Sequence, residues 1–184
     1  ARPNEVKIDM VVASPTNLTQ QLISGGLSIA IAPFRQQVPE LTYTELCQEE
    51  HRLYCATGHP LFEHAHDHVD LSIVNQYHLC QRSYDRMVSA ELGRPDTKAT
   101  VANMEAMATL IETGHFLGPL PVHFAQRFVL EGAFREIRNP ELRWRSTFYL
   151  ATRRVQVPRR TIELFTQDLL KAGRDNLSAT ADPN

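Results

Sequence analysis

The chain has 184 residues, 42% of them hydrophobic and 22% charged, which is room for one sizeable domain or two small lobes sharing a core. A total of 19 Lys and Arg against 21 Asp and Glu leaves a formal net charge of -2, so the bulk charge gives no basic field of the kind a free-standing nucleic-acid binder carries. No apolar run approaches the ~20 residues of a membrane-spanning helix. Cys47, Cys55 and Cys80 are odd in number and irregular in spacing, a poor disulfide framework that fits a reducing compartment.

Val6–Val12 alternates and then turns apolar, as a half-buried strand does. Ser14-Pro15 follows, an N-cap with proline at the first helical position. The helix carries Leu18, Leu22 and Ile23 on one face and stops at Gly25-Gly26, where positive φ is permitted. Leu27–Ala32 is nearly all apolar, the pattern of a parallel strand covered on both faces. Residues 6–32 therefore read as one βαβ unit with a right-handed crossover. Pro33–Cys47 reads as a polar connector, Arg52–Thr57 as a strand, Gly58–Leu61 as a turn, Val69–Val74 as a short helix or turn, and Tyr77–Gln81 as a strand. A helix is expected around Asp85–Leu92, stopped by Gly93, and a strand over Thr97–Ala102.

Asn103 caps a helix through Met107, Leu110 and Ile111 that ends at Gly114. His115–Leu117 reads as a short strand, Pro121 as the start of a helix reaching about Leu130, and Thr147–Ala151 as a strand. Pro158 opens the last helix, with Ile162, Phe165, Leu169 and Leu170 on one face. Asp175–Asn184 is small and polar and reads as disordered. The alternation predicts an α/β architecture, with parallel sheets and helices on both faces.

Four stretches, taken in order, resemble one family. Residues 2–12 resemble the "RYPEVELEL" entry into the second strand of a LysR-type effector domain. Residues 22–31, "LISGGLSIAI", resemble its "LLDGELDLAI" segment, with Ser28 for the usual Asp. Residues 46–61, "LCQEEHRLYCATGHPL", resemble "LGEEPLVLVVPPDHPL" and keep His59-Pro60-Leu61. Residues 103–121, "NMEAMATLIETGHFLGPLP", resemble "NSEALLALVAAGLGIALLP". The chain is thus similar to the C-terminal effector-binding domain of LysR-type transcriptional regulators over about residues 2–172.

That resemblance implies two Rossmann-like α/β lobes joined by two crossover segments, as in type 2 periplasmic binding proteins. Lobe I would be residues 1–47 plus 140–184 and lobe II residues 48–139, with a small effector in the cleft between them. The family's opening strand, loop and helix have no counterpart ahead of the first stretch. Lobe I is therefore expected to be truncated at its N-terminus.

In α/β sheets, ligands gather beyond the carboxyl ends of the strands, where helix N-termini offer free N–H groups. Ser14 and Thr16 occupy such a place after the first strand, and a plain N-cap explains Ser14 equally well. Arg82 and Ser83 follow the Tyr77–Gln81 strand; Arg82 suits an anionic effector, or is simply a surface arginine. Asn103 and Met104 open a helix, with Gly118-Pro119 on the same side, where glycine lets backbone approach a ligand. Pro33 and Phe34 end the Leu27–Ala32 strand; Phe34 either stacks on an effector or packs a hinge. These residues make the expected effector site, with no cofactor and no metal.

Other clusters point elsewhere less well. His64-x-His66-x-His68 aligns three imidazoles only if it is a strand, and its polar flanks read as a loop. Cys47 and Cys55 flank His51 without a CxxC. Ser83, His115 and Asp85 make a paper triad with no G-x-S-x-G elbow. Arg153, Arg154, Arg159 and Arg160 read as a solvated helix start. The expected function is a cytoplasmic regulator's sensor and not an enzyme. It would bind a small anionic effector, associate as a homodimer or homotetramer, and reach DNA only through a head outside this sequence. The alternative is a periplasmic solute-binding receptor of the same architecture.

Overall fold

The computed structural model describes residues 7–34, 36–64, 67–82, 97–154 and 160–179, with side chains as far as Gly173. Ser83, His66, Pro158, Arg159 and the expected Asp85–Leu92 helix with its stop at Gly93 lie outside these residues. The chain divides into two compact units, residues 1–48 with 147–184 and residues 49–146.

In the first unit, α1 (Pro15–Ser24) starts and stops as its sequence dictates. The Ser14 hydroxyl accepts from the Asn17 N–H at 3.4 Å, Pro15 sits in the first turn, and Gly25 closes the helix at φ 83°. Leu18 and Leu22 pack with Ala30, Ala32, Phe34, Leu41 and Ala151 to form this unit's core. β1 (Ala30–Ala32) runs antiparallel to β7 (Arg143–Arg153), Ala30 opposite Ala151. The last helix, α5 (Arg160–Ala179), lies so close to β2 (Leu41–Ala56) that a Cβ on Gly173 would collide with the Leu46 carbonyl.

Three expectations for this unit are corrected. Residues 7–14 adopt no regular secondary structure, and Met10 and Val12 are each 88% exposed, so no βαβ unit forms among the described residues. Alternation marks which side chains seek a core, but a strand exists only with a hydrogen-bonding neighbour. A groove of about 560 Å³ remains between residues 7–11 and 26–31, with Ile162, Phe165 and Leu169 of α5 along it. The expected Leu27–Ala32 strand shortens to β1 and is antiparallel. Of the tail expected to be disordered, residues 175–179 continue the α5 helix.

The second unit is built on the far half of β2. It pairs antiparallel with β5 (Phe116–Pro121), His51 opposite Pro121, and with β6 (Phe134–Glu136), Cys55 opposite Arg135. β5 is parallel to β3 (His78–Arg82), which is parallel to β4 (Ala99–Val101). The sheets are mixed rather than parallel throughout. Alternation along β2 sends Leu53 and Cys55 into one core with Leu79, Leu117 and Val74 of α2 (Leu71–Val74). It sends Tyr54 and Ala56 into another with Met107 and Ile111 of α3 (Met104–Glu112) and Ala125 of α4 (Val122–Leu130).

Two further readings change here. The Pro33–Cys47 connector gives way at Leu41, where β2 begins. Gly118-Pro119-Leu120-Pro121, expected to close a ligand site, is instead strand: β5 continues through it. The paired register of β3 with β5 covers Phe116 and Leu117, so both prolines fall beyond that ladder, and on the other side they stand opposite Leu53 and His51 of β2.

Candidate functional site

β3, β4 and β5 run in one direction, so their carboxyl ends share an edge of the second unit. Arg82 ends β3 level with Val101 of β4 and is only 4% exposed, so it is not the surface arginine of the alternative reading. Two residues beyond Val101, the Asn103 carboxamide oxygen accepts from the Ala106 N–H at 2.8 Å and caps α3. Met104 follows, half-buried on the α3 core. The helix thus presents first-turn N–H groups and its positive dipole end at this edge. Ser83 lies outside the described residues.

Gly118 and Pro119 sit within β5, opposite Tyr54 and Leu53, and are buried. The space glycine leaves is filled by Ile111 and Cys80 rather than held open for a ligand. In the first unit, Ser14 and Thr16 are exposed on the opening turn of α1. Pro33 is half-buried, while Phe34 lies in the core, edge-on to Tyr43 with ring centroids 5.4 Å apart. The structure favours packing over stacking on an effector for Phe34.

The same edge of the second unit carries a cluster that the sequence reading passed over. Antiparallel pairing places His51 beside Pro121, at the N-terminus of α4. His51 is 2% exposed and its ring stacks on Trp144, centroids 5.9 Å apart and 12° from parallel. Its Nε2 lies 3.5 Å from Glu49 Oε2, and His123 Nε2 lies 3.8 Å from Glu49 Oε1. Among the described residues, neither Glu49 Oε2 nor His51 Nε2 has a hydrogen-bond partner. The signal was present: Glu49 and His51 are two apart on a strand and so share a face.

The remaining candidates resolve individually. His64 is in a turn, His68 meets Asp70 at 3.3 Å, and His66 is outside the described residues, among which no group of three His, Cys, Asp or Glu can hold a metal. Arg153 ends β7 and Arg154 follows it in a bend, so these two do not start a helix, whereas Arg160 opens α5 as expected. The Arg153 guanidinium lies over Gly25, at the negative end of the α1 dipole, and Arg154 Nε donates to the Pro39 carbonyl at 2.8 Å. None of the three cysteines is in a disulfide. Burial pushes the Cys55 and Cys80 thiols up to about 12, far from a reactive thiolate. Among the described residues no helix is long and apolar enough to cross a membrane.

The mixed sheets, with helix N-termini at their strand ends, make an α/β domain that fits the periplasmic-binding-protein-like fold expected from the resemblance. The family model described as the LysR substrate binding domain matches residues 1–174, and the chain belongs to that family, which is not an enzyme class. It is 27% identical over 165 residues to the HTH-type transcriptional activator BauR of Pseudomonas aeruginosa, covering 89% of this chain and 54% of that one. The chain thus spans about half the length of the curated relative it matches. The effector binding domain of QuiR in complex with shikimate superposes with a TM-score of 0.74 at 18% identity, over 89% of this chain and 79% of that one. Full-length LysG from Corynebacterium glutamicum with bound effector Arg superposes with a TM-score of 0.64 at 17% identity, over 89% of this chain and 57% of that one.

Proposed function

We propose that the chain is the effector-sensing domain of a LysR-type DNA-binding transcriptional regulator in the cytoplasm. It takes a small effector with an anionic group. Occupancy passes through rearrangement of a homodimer or homotetramer to a DNA-binding head outside this sequence. The effector must favour one arrangement over the other, or nothing switches.

One observation carries the reading: Arg82 and the Asn103-capped N-terminus of α3 meet at the carboxyl edge of β3 and β4. A guanidinium and unsatisfied helix N–H groups are the donors a carboxylate requires. Ser14 and Thr16 supply a second helix N-terminus with two hydroxyls. QuiR with shikimate and LysG with Arg lend support from the same fold.

The test is a thermal-shift screen of the domain against small carboxylates, amino acids, nucleobases and aromatic acids. A true effector at a hundred times its Kd stabilises by about 2.7 kcal/mol. For a domain of this size that raises the melting temperature by roughly 5–10 °C, and by less in Thr16→Ala. A folded domain that no compound shifts would overturn the reading.

A further inference from the structure

We propose that Glu49, His51 and Trp144 form a subsite for an ammonium group. The inference rests on the effector-domain reading above and adds a cationic nitrogen to the effector's chemistry.

Glu49 is a half-buried carboxylate, its Oε2 withdrawn from solvent, that meets no Lys or Arg among the described residues. Its side chain is 17% exposed, and among the described residues its charged-atom neighbours are two histidines, at 3.5 and 3.8 Å. Both distances exceed those of a charge-assisted hydrogen bond. The nearby acids are treated differently. Glu50 holds Arg52 at 2.8 Å, and Glu136 holds Arg52 at 2.7 Å and Arg143 at 3.1 Å. A carboxylate withdrawn from water and left unpaired is costly, so a donor that arrives with a ligand gains more here than at a solvated acid.

The partner's chemistry follows from the groups present. Glu49 Oε2 and His51 Nε2 are both unsatisfied and face the same 3.5 Å interval. With the His51 ring fixed against Trp144, one small centre with several donors can serve both atoms. A primary ammonium has three donors and the charge that Glu49 lacks. An anion meets like charge at Glu49, and a hydroxyl brings one donor and no charge. The cluster shares its sheet edge with Arg82, because β5 separates β2 from β3 and His51 stands level with Pro121. An effector with a carboxylate at one end and an ammonium at the other engages both.

Trp144 is the sole tryptophan, so its emission reports on this subsite. The experiment titrates the chain with n-butylammonium, using n-butanol and butyrate as controls of equal chain length. A saturable change with n-butylammonium alone, weakened at least tenfold in Glu49→Gln, is the expected result. Glu49→Asp, which withdraws the carboxylate, provides the same comparison if Glu49→Gln melts early. No saturable response, an equal response to n-butanol, or a response undiminished in both variants overturns the subsite. The titration uses no effector. A failure here beside a positive thermal-shift hit removes the subsite alone and leaves the effector-domain reading standing.

Discussion

Ile111 occupies the space that Gly118 leaves: a Cβ built on Gly118 falls 2.6 Å from Ile111 Cδ1 and 2.9 Å from Cys80 Sγ. Ile111 and Cys80 are both fully buried, so neither can swing aside into solvent. α3 therefore approaches β5 more closely than any larger residue allows. Gly118→Ala should destabilise the domain by about 1–3 kcal/mol through overpacking. Ile111→Val removes the colliding methyl, so the double variant should lose less than the sum of the two single changes. Urea unfolding of the four proteins measures this, and strict additivity would show that the contact is not the cause.

The same pair shows what the sequence could and could not convey. Helix ends were legible because their signals are local: Ser14-Pro15, Gly25 and Asn103 act within a few residues, and all stand where expected. The strand over residues 6–12 was not, because its pattern names a buried face without naming a partner. Gly118-Pro119 read as a ligand loop because glycine and proline mark both loops and crowded strands, and only the position of Ile111 decides between them. Glu49 and His51 were visible as a same-face pair, but Trp144 and His123 join them only through the antiparallel turn of the sheet.

His59 explains part of the retained His-Pro-Leu triplet and gives the domain an acid sensitivity. It is 3% exposed, its Nδ1 accepts from the Leu61 N–H at 3.1 Å, and its ring lies 4.8 Å from that of Tyr77. Burial, aided by His115, pulls its pKa down from 6.5 to about 4. Between those values the unfolded chain binds a proton that the folded chain refuses. Stability therefore falls as pH drops from 6.5 towards 4 and is unaffected by this group above 6.5. The loss should total roughly 3 kcal/mol. Denaturation at pH 7.5 and pH 4.5 should show it in the native sequence, and a smaller drop in His59→Asn. An equal drop in both proteins would assign the acid sensitivity to other groups.

Met10 and Val12 are apolar by type yet exposed, whereas Leu22 is fully buried in the core beside α1. Met10→Lys and Val12→Lys should each change the stability of this chain by no more than ~0.5 kcal/mol. Leu22→Ala should cost about 2–5 kcal/mol, the sum of lost burial and the cavity left behind. The lysine variants should also bind less of a hydrophobic dye than the native chain, since they remove surface from the same exposed run. A lysine variant as damaging as Leu22→Ala would mean that residues 7–12 are packed in solution.

Asn103 holds two roles that one substitution can separate. As a cap it accepts from the Ala106 N–H at 2.8 Å, so Asn103→Ala should cost about 1 kcal/mol. Asn103→Asp keeps an acceptor in place and sets a negative charge at the positive end of α3, so stability should hold or rise slightly. An anionic effector drawn to the same first turn meets repulsion there, and its thermal shift should shrink in Asn103→Asp even though the fold is intact. Paired melts of the two variants, with and without the effector found by the screen, separate the roles. A full shift retained in Asn103→Asp would mean that the effector's anionic group lies away from α3, and Arg82 would then carry it alone.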